Sequence, residues 1–363
     1  MNFRKAVLTL CAFSLVSLSA GAQSQTPQQA LDTKPVTVRF GYISGIAFPT
    51  FIVAEDLGYF KNEGITIEKV FLNGSGAVSE ALAAGNIDMG NTAPTTSVLA
   101  ASKGARTLGV SGYEYTFTDK AGKSWEAVSV VVRSGEGIRN LDDLKGKRVA
   151  VNDYGSIYNY LLREHFLKKG DNPDKDLTIL AMPFSQMAGA LVQKQVDAVI
   201  TVADGLAQAK QRMPVDVIGT HTSMEKLDVG LSSMIGVSTA YLQKNPDVVV
   251  RFLRAMLKAR LYMNESIAAG KTEIKEVVAK NMKFTPQRSD FFWETRGSYY
   301  GKELDYVNLL DVPKRLIARQ FEILKAVNLV KPDIDTDYAK VVDIRPLRRA
   351  YESLGLPWDE SKH

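Results

Sequence analysis

Two stretches of this chain repeat the same order of strand, helix and strand at a constant spacing. In both, short apolar segments alternate with helical segments, which is typical of βαβ units and parallel sheets. The matching pairs lie 109 residues apart and are Val70-Phe71 with Ile179-Leu180, Ala81-Leu82 with Ala190-Leu191, and Ile87-Asp88 with Val196-Asp197. We therefore expect an α/β fold of two similar lobes, each a mostly parallel sheet flanked by helices. The alternative is a single continuous sheet.

The alternation predicts the individual elements of each lobe. In the first lobe we expect strands at Val36–Ile43, Ile65–Leu72 and Ile87–Gly90, and helices at Ala54–Lys61 and Ala77–Ala84. In the second we expect strands at Arg148–Asn152, Leu177–Met182 and Val196–Val202, and helices at Ser156–Lys169, Gln186–Lys194 and Gly205–Arg212.

Two further apolar segments are predicted to cross between the lobes. They are Val128–Arg133 and Ser233–Thr239, and two such crossings make a hinge. The predicted organisation is lobe one at residues 36–128, lobe two with its hinge strands at 129–235, and a return to lobe one at 236–363. Helices are expected in this last part, packed on lobe one, at Pro246–Ala268, Lys271–Lys280 and Val312–Val327.

The N-terminus has the three parts of a secretory signal peptide. Arg4 and Lys5 precede the apolar segment Ala6–Ala20, and the small residues Ala20-Gly21-Ala22 form a cleavage site. The alternative, a membrane anchor, needs about 20 apolar residues. We expect cleavage after Ala22, a flexible leader at residues 23–35, and a soluble mature protein in the periplasm.

The scarcity of cysteine and histidine limits the chemistry that the chain can perform. Cys11 is the only cysteine and lies in the predicted signal peptide, and the three histidines are not at metal-ligand spacing. We therefore expect no disulfide, no thiol catalysis, no metal site and no cofactor. The net charge of +5 is spread along the chain without basic and aromatic runs, so nucleic-acid binding is not expected.

Ligands of open α/β sheets bind beyond the carboxyl ends of the strands, so the loops that follow the strands are the candidate site. These loops contain no Lys or Arg, and several lead into helix N-termini, which attract anions. The candidates include one serine at or directly before the start of each crossover segment. The candidate ligand-binding residues are Ser44, Gly45, Phe48, Ser75, Gly76, Asn91, Thr92, Thr95, Ser129, Asn152, Tyr154, Gly155, Ser156, Asp204 and Ser232. The alternative for Ser75, Asn91 and Ser156 is helix capping alone.

Asp204 and Tyr154 are the two candidates for which we predict a specific kind of contact with the ligand. Asp204 is related to Thr95 by the same offset of 109, and its carboxylate would suit an amino group on the ligand. Capping or hinge locking is the alternative for Asp204. Tyr154 lies beside a Gly-Ser turn and is expected to stack on the ligand.

Several motifs together resemble the substrate-binding proteins of nitrate-, sulfonate- and taurine-type ABC transporters, which share the thiamine-pyrimidine-synthesis-like domain. The matching segments are Val53–Lys61, Glu63–Ile65, Gly74–Gly76, Ala81–Asp88, Leu141–Val149 and Val196–Val199. The resemblance implies a type II periplasmic-binding-protein fold, a monomer, and docking on an ABC permease of the inner membrane. It also implies ligand contacts from the loop after the first strand, the turn at Gly74–Gly76, Asn91–Thr95, Gly155-Ser156 and Asp204. The segment Thr201–Gly205 departs from the family pattern, so the far wall of the pocket is expected to differ.

Three functions are consistent with these observations. The first is a solute-binding receptor of an ABC importer, without catalysis, for a small organic anion. That anion would be a sulfonate or carboxylate that can be aromatic or carry an amine. The second is an enzyme of thiamine-pyrimidine-synthesis type. The resemblance implies that its chemistry relies on a Cys-rich motif and on histidines, whereas the predicted mature chain has no cysteine and its histidines are scattered. The third is a receptor that passes its signal to a membrane kinase.

Overall fold

Strands and helices alternate along the chain, as the sequence predicts. A computed structural model describes residues 33–43, 48–118, 124–126, 128–227, 229–296 and 310–363. The strands are β1 Val36–Ile43, β2 Ile65–Leu72, β3 Met89–Thr92, β4 Thr107–Thr118, β5 Ser124–Trp125, β6 Val128–Arg133, β7 Arg148–Val151, β8 Thr178–Ala181, β9 Ala198–Val202, β10 Val215–Thr220 and β11 Val229–Ser238. The predicted signal peptide, residues 1–22, lies outside the described residues.

The helices fill the connections between strands and most of the C-terminal third. Those of the first two thirds are α1 Pro49–Asp56, α2 Tyr59–Asn62, α3 Ser75–Ala83, α4 Pro94–Ser102, α5 Ile157–Leu167, α6 Pro173–Asp176, α7 Phe184–Val192, α8 Ala203–Arg212 and α9 His221–Glu225. The later ones are α10 Thr239–Lys244, α11 Pro246–Ala268, α12 Glu273–Met282, α13 Pro286–Arg296, α14 Lys314–Ala326 and α15 Arg345–Ser353. Within the described chain, none of these helices has both the length and the apolar composition needed to cross a membrane.

Two sheets with the same topology form the two lobes. The sheet of lobe one has the order β2-β1-β3-β11-β4-β5, and that of lobe two has the order β10-β6-β9-β7-β8. The strands β2, β1 and β3 are parallel, as are β8, β7 and β9, whereas β11 and β6 run antiparallel beside them. The prediction of two similar α/β lobes is confirmed. The other strands of each sheet pair antiparallel with their neighbours.

An arginine–aspartate pair occupies the same position in each lobe. Arg39 of β1 places Nη2 2.6 Å from Oδ1 of Asp88, and Arg148 of β7 places Nη2 2.9 Å from Oδ1 of Asp197. The backbone N–H of each arginine also donates to its aspartate, at 2.8 Å and 2.9 Å. The two arginines are 109 residues apart in sequence, and so are the two aspartates. The repeat therefore extends to matching side-chain contacts.

The two segments predicted as crossovers are instead inner strands of the two sheets. Strand β6 pairs with β9 and β10 of lobe two, and β11 pairs with β3 and β4 of lobe one. The chain therefore passes from lobe one to lobe two between β5 and β6, and returns between β10 and β11. A buried apolar strand pattern shows that a segment is a strand, but it does not show which sheet the strand joins.

The C-terminal helices contact both lobes, whereas the sequence predicts packing on lobe one alone. Helix α11 packs on α1 and α2 of lobe one, where the ring of Phe252 stacks on Phe40 with 5.5 Å between centroids. Helix α13 packs on α8 of lobe two, and α14 packs on both α4 and α5. Helix α14 therefore contacts a helix of each lobe.

The helix predicted at Ala54–Lys61 begins earlier and is interrupted. Pro49 occupies the first position of α1, where its missing N–H costs nothing, and the helix ends at Asp56. Gly58 then adopts φ 72°, a left-handed conformation that glycine takes without strain, before the short α2.

Candidate functional site

A cavity of about 50 Å³ lies between the two lobes, beyond the carboxyl ends of their parallel strands. Lobe one contributes Ile43, Phe48, Ser75, Asn91, Thr92, Ala93, Glu114, Ser232 and Ser233 to its wall. Lobe two contributes Val128, Asn152, Ser156, Ile157, Tyr158, Phe184 and Val202. One water molecule needs about 10–15 Å³ of such space, so the cavity holds roughly four water-sized groups. In this conformation the space therefore suits a small solute.

Polar atoms without a protein partner line the cavity. Among the described residues, Oδ1 of Asn91, Oγ1 of Thr92 and Oδ1 of Asn152 are buried and lack a hydrogen-bond partner. The amide nitrogen of Asn91 donates to Oγ of Ser233 at 3.4 Å, which directs its oxygen away from that serine. A buried polar group without a partner costs about 1–3 kcal/mol. A bound solute that donates hydrogen bonds to these oxygens would recover that free energy.

The start of α5 forms the lobe-two side of the wall. Ser156 caps this helix, since its Oγ accepts from the backbone N–H of Asn159 at 3.4 Å. Ser156, Ile157 and Tyr158 all line the cavity, so the first turn of the helix faces the solute space. The first N–H groups of a helix have no intrahelical acceptor and carry the positive end of its dipole. This part of the wall can therefore bind an anionic group.

Glu114 brings a carboxylate to the cavity from the middle of β4. Glu114 is 2% exposed, and its backbone carbonyl accepts a hydrogen bond from Oγ of Ser232 at 2.9 Å. The described residues of the wall include no lysine, arginine or histidine. A carboxylate in this position can accept hydrogen bonds from an N–H group or balance the charge of an amine.

Seven of the fifteen residues predicted from the sequence line the cavity. Those in the wall are Phe48, Ser75, Asn91, Thr92, Asn152, Ser156 and Ser232. Those outside it are Gly76, Thr95, Ser129, Tyr154, Gly155 and Asp204. Ser44 and Gly45 lie outside the described residues. Tyr154 is 58% exposed, and the aromatic part of the wall comes from Phe48, Tyr158 and Phe184 instead.

The structure places Asp204 away from the cavity, in an ion pair with a C-terminal helix. It lies in the first turn of α8, and Arg288 of α13 donates from Nε and Nη2 to its two oxygens at 2.7 Å and 2.6 Å. Gln208 donates to the same carboxylate at 3.0 Å. The carboxylate of Asp204 is therefore bound by the protein's own side chains, and Glu114 is the acidic residue that lines the cavity.

Sequence comparison relates most of the chain to one family. The family model described as NMT1/THI5 like matches residues 46–266. The nitrate import ATP-binding protein of Synechococcus elongatus is 25% identical over 239 residues, which are 61% of this chain and 34% of that protein. A putative binding protein of Brucella abortus is 27% identical over 226 residues, 62% of this chain and 66% of that protein. The chain thus spans about a third of the first relative and about two thirds of the second.

An enzyme is also among the relatives. The 4-amino-5-hydroxymethyl-2-methylpyrimidine phosphate synthase of Aspergillus parasiticus is 24% identical over 282 residues, 73% of this chain and 77% of that protein.

Solved structures of periplasmic binding proteins share the fold. The nitrate-binding protein NrtA from Synechocystis has a TM-score of 0.72 at 14% identity, with 89% of this chain and 90% of that chain covered. The alkanesulfonate-binding protein SsuA from Xanthomonas axonopodis, bound to MOPS, has a TM-score of 0.66 at 19% identity, with 85% and 99% covered. At these identities the likeness establishes the fold.

Proposed function

The chain belongs to the NMT1/THI5-like family, and on that basis we propose that it is the solute-binding receptor of an ABC importer. The observation that carries this proposal is the cavity itself, because both lobes contribute polar and aromatic side chains to one small space. The names of the structural neighbours, which describe a periplasmic nitrate-binding protein and an alkanesulfonate-binding protein, support the same function.

The proposed mechanism is closure of the lobes around the solute. A solute contacts Asn91 of lobe one and Ser156 of lobe two together only when the lobes are closed. It therefore binds the closed state more tightly and shifts the open–closed equilibrium towards it. The two connections between the sheets allow this movement.

We propose as ligand a small organic sulfonate or carboxylate that also carries an amine or another N–H donor. The first turn of α5 would bind the anionic group, and Glu114 would accept from the nitrogen. Phe48, Tyr158 and Phe184 provide apolar surface for a short carbon skeleton.

The proposed receptor function also implies that the protein is exported and that it has a membrane partner. The protein would be cleaved after Ala22, act in the periplasm as a monomer, and deliver its ligand to a permease of the inner membrane. A pull-down from solubilised membranes would separate this partner from a membrane kinase.

A thermal-shift screen tests the proposed function. The panel comprises alkanesulfonates, taurine, aromatic carboxylates and thiamine precursors. A ligand at about 100 times its Kd stabilises the folded state by about 2.7 kcal/mol, which a melting curve detects. A tenfold loss of affinity in Asn91→Ala should reduce this stabilisation to about 1.4 kcal/mol, whereas Asn62→Ala, at an exposed position on α2, should retain it in full. A panel in which only neutral or cationic sugars stabilise the protein would contradict the ligand class. A panel without any stabilising compound would contradict the receptor function.

The similarity to the pyrimidine phosphate synthase favours a second candidate, an enzyme on the same fold. Mass spectrometry of a screening hit after prolonged incubation with the protein separates the two candidates. A receptor returns the compound unchanged, whereas an enzyme converts it.

A further inference from the structure

The carboxylate of Asp153 reaches from lobe two to the start of a helix in lobe one. Asp153 follows β7, and its Oδ2 accepts from the backbone N–H of Gly76, in the first turn of α3, at 3.0 Å. Its Oδ1 accepts from the N–H of Gly155 at 2.7 Å, which fixes the side chain within its own loop. A negative charge at a helix N-terminus is favourable, because it satisfies a free N–H and opposes the helix dipole.

Two glycines make room for this carboxylate. A Cβ atom on Gly76 would lie 2.8 Å from Oδ2 of Asp153, and one on Gly74 would lie 2.7 Å from the same oxygen. Gly74 also has φ 135°, which side-chain-bearing residues rarely adopt. The turn before α3 is therefore shaped closely around the Asp153 side chain.

A neutral contact lies beside the charged one. Oγ1 of Thr96, on α4 of lobe one, is 3.1 Å from Oγ of Ser75 and 3.3 Å from the carbonyl oxygen of Gly155 in lobe two. The contact with Gly155 joins the same two lobes as the Asp153 contact does, at the edge of the cavity that Ser75 and Ser156 line.

We propose that Asp153 is a latch between the lobes, which stabilises the closed conformation before any solute binds. The inference rests on the proposed function, since it concerns closure of the same two lobes. The latch separates when the lobes open, because its two halves belong to different sheets. The carboxylate of Asp153 occupies the N-terminus of α3. The anionic group of a solute would therefore bind at the start of α5.

The distance between the lobes in ligand-free protein tests the latch. Spin labels at K61C on α2 and K175C on α6, both exposed positions, report this distance in a C11S background. Cys11 is the only native cysteine, so no other site is labelled. Asp153→Ala should shift the open–closed ratio towards open by about tenfold, the change expected from losing one charge-assisted hydrogen bond. Asp174→Ala, which removes an exposed carboxylate of the same lobe, should leave the distances unchanged.

Gly76→Ala perturbs the same contact from the other lobe and remains informative if Asp153→Ala folds poorly. The added methyl group should displace the carboxylate and open the lobes as Asp153→Ala does. In the Asp153→Ala background it has nothing to displace, so the double variant should match the single one. Unchanged distances in Asp153→Ala and Gly76→Ala, or fully additive effects in the double variant, would overturn the latch. Because no solute is present, that result would count against the latch alone, whereas a screen without hits counts against the proposed function alone.

Discussion

Replacing Glu164 by glutamine should destabilise the protein more than any exposed ion pair could. Glu164 lies on α5 of lobe two with its side chain 3% exposed, and Arg319 of α14 donates to its two oxygens at 2.9 Å and 2.6 Å. Lys168 adds a contact at 2.8 Å. Burial acts to raise the pKa of Glu164, but the hydrogen bonds from Arg319 and Lys168 lower it overall. The carboxylate is therefore charged at neutral pH.

The loss of unfolding free energy on substitution follows from the positive charge of Arg319, which remains buried. Removing one partner of a buried ion pair costs about 3–5 kcal/mol, because the other charge loses its counterion. In the variant, Nε of Arg319 still donates to the carbonyl oxygen of Glu225 at 3.3 Å. We therefore expect a loss at the lower end of this range, about 3 kcal/mol. With an unfolding entropy of about 2.1 cal/mol/K per residue, this lowers the Tm of a 363-residue chain by about 4 °C.

Calorimetry of Glu164→Gln beside Glu322→Gln measures this effect with a matched control. Glu322 faces the same arginine at 3.6 Å but is 69% exposed, so its loss should cost less than about 1 kcal/mol. Equal Tm values for the two variants would refute the assignment of Glu164 and Arg319 as a buried pair that joins α14 to lobe two.

Two further predictions concern acid stability and glycine positions. The hydrogen bond from Arg148 lowers the pKa of Asp197 from 3.8 to about 2. The stabilising contribution of the carboxylate is therefore complete above about pH 5 and is lost progressively as the pH falls through 3.8 towards about 2. The Tm difference between wild type and Asp197→Asn should therefore shrink between about pH 5 and about pH 3, and a constant difference would contradict the pairing. Gly189→Ala in α7, where the nearest atom to an added Cβ is Nη1 of Arg212 at 3.8 Å, should stabilise the protein by about 0.5–1 kcal/mol in chemical denaturation. Gly205→Ala in α8 should instead destabilise it, because its Cβ would overlap the hydroxyl of Thr201, and stabilisation by both substitutions would contradict the packing around α8.

The lobes could be predicted because apolar periodicity and the offset of 109 are properties of local sequence. Strand β4 was missed because Gly109, Gly112 and Glu114 interrupt its apolar pattern. These glycines are required by tertiary contacts, since a Cβ on Gly109 would lie 2.8 Å from Cε of Met234 on the neighbouring β11. Such contacts between distant segments do not appear in a local pattern.

The sequence predicted the residues of the cavity wall that follow strand ends. It did not predict the contacts that depend on segments far apart in sequence. Asn91, Asn152 and Ser156 follow the rule that ligands bind beyond strand ends, and all three line the cavity. Asp204 obeys the same rule, but Arg288 of α13, 84 residues later, binds its carboxylate. Glu114 lies in the middle of a strand, where that rule does not apply. A charged residue between Tyr113 and Tyr115 was the one sequence feature that could have revealed it.

Isothermal titration of the best screening hit tests most directly whether one solute is held by both lobes. Wild type should bind one molecule per chain. Asn91→Ala in lobe one and Asn152→Ala in lobe two should each weaken binding about tenfold or more, since each removes a buried hydrogen-bonding group worth about 1–3 kcal/mol. Unchanged affinity in either variant would show that one lobe suffices for binding and would contradict capture between the lobes.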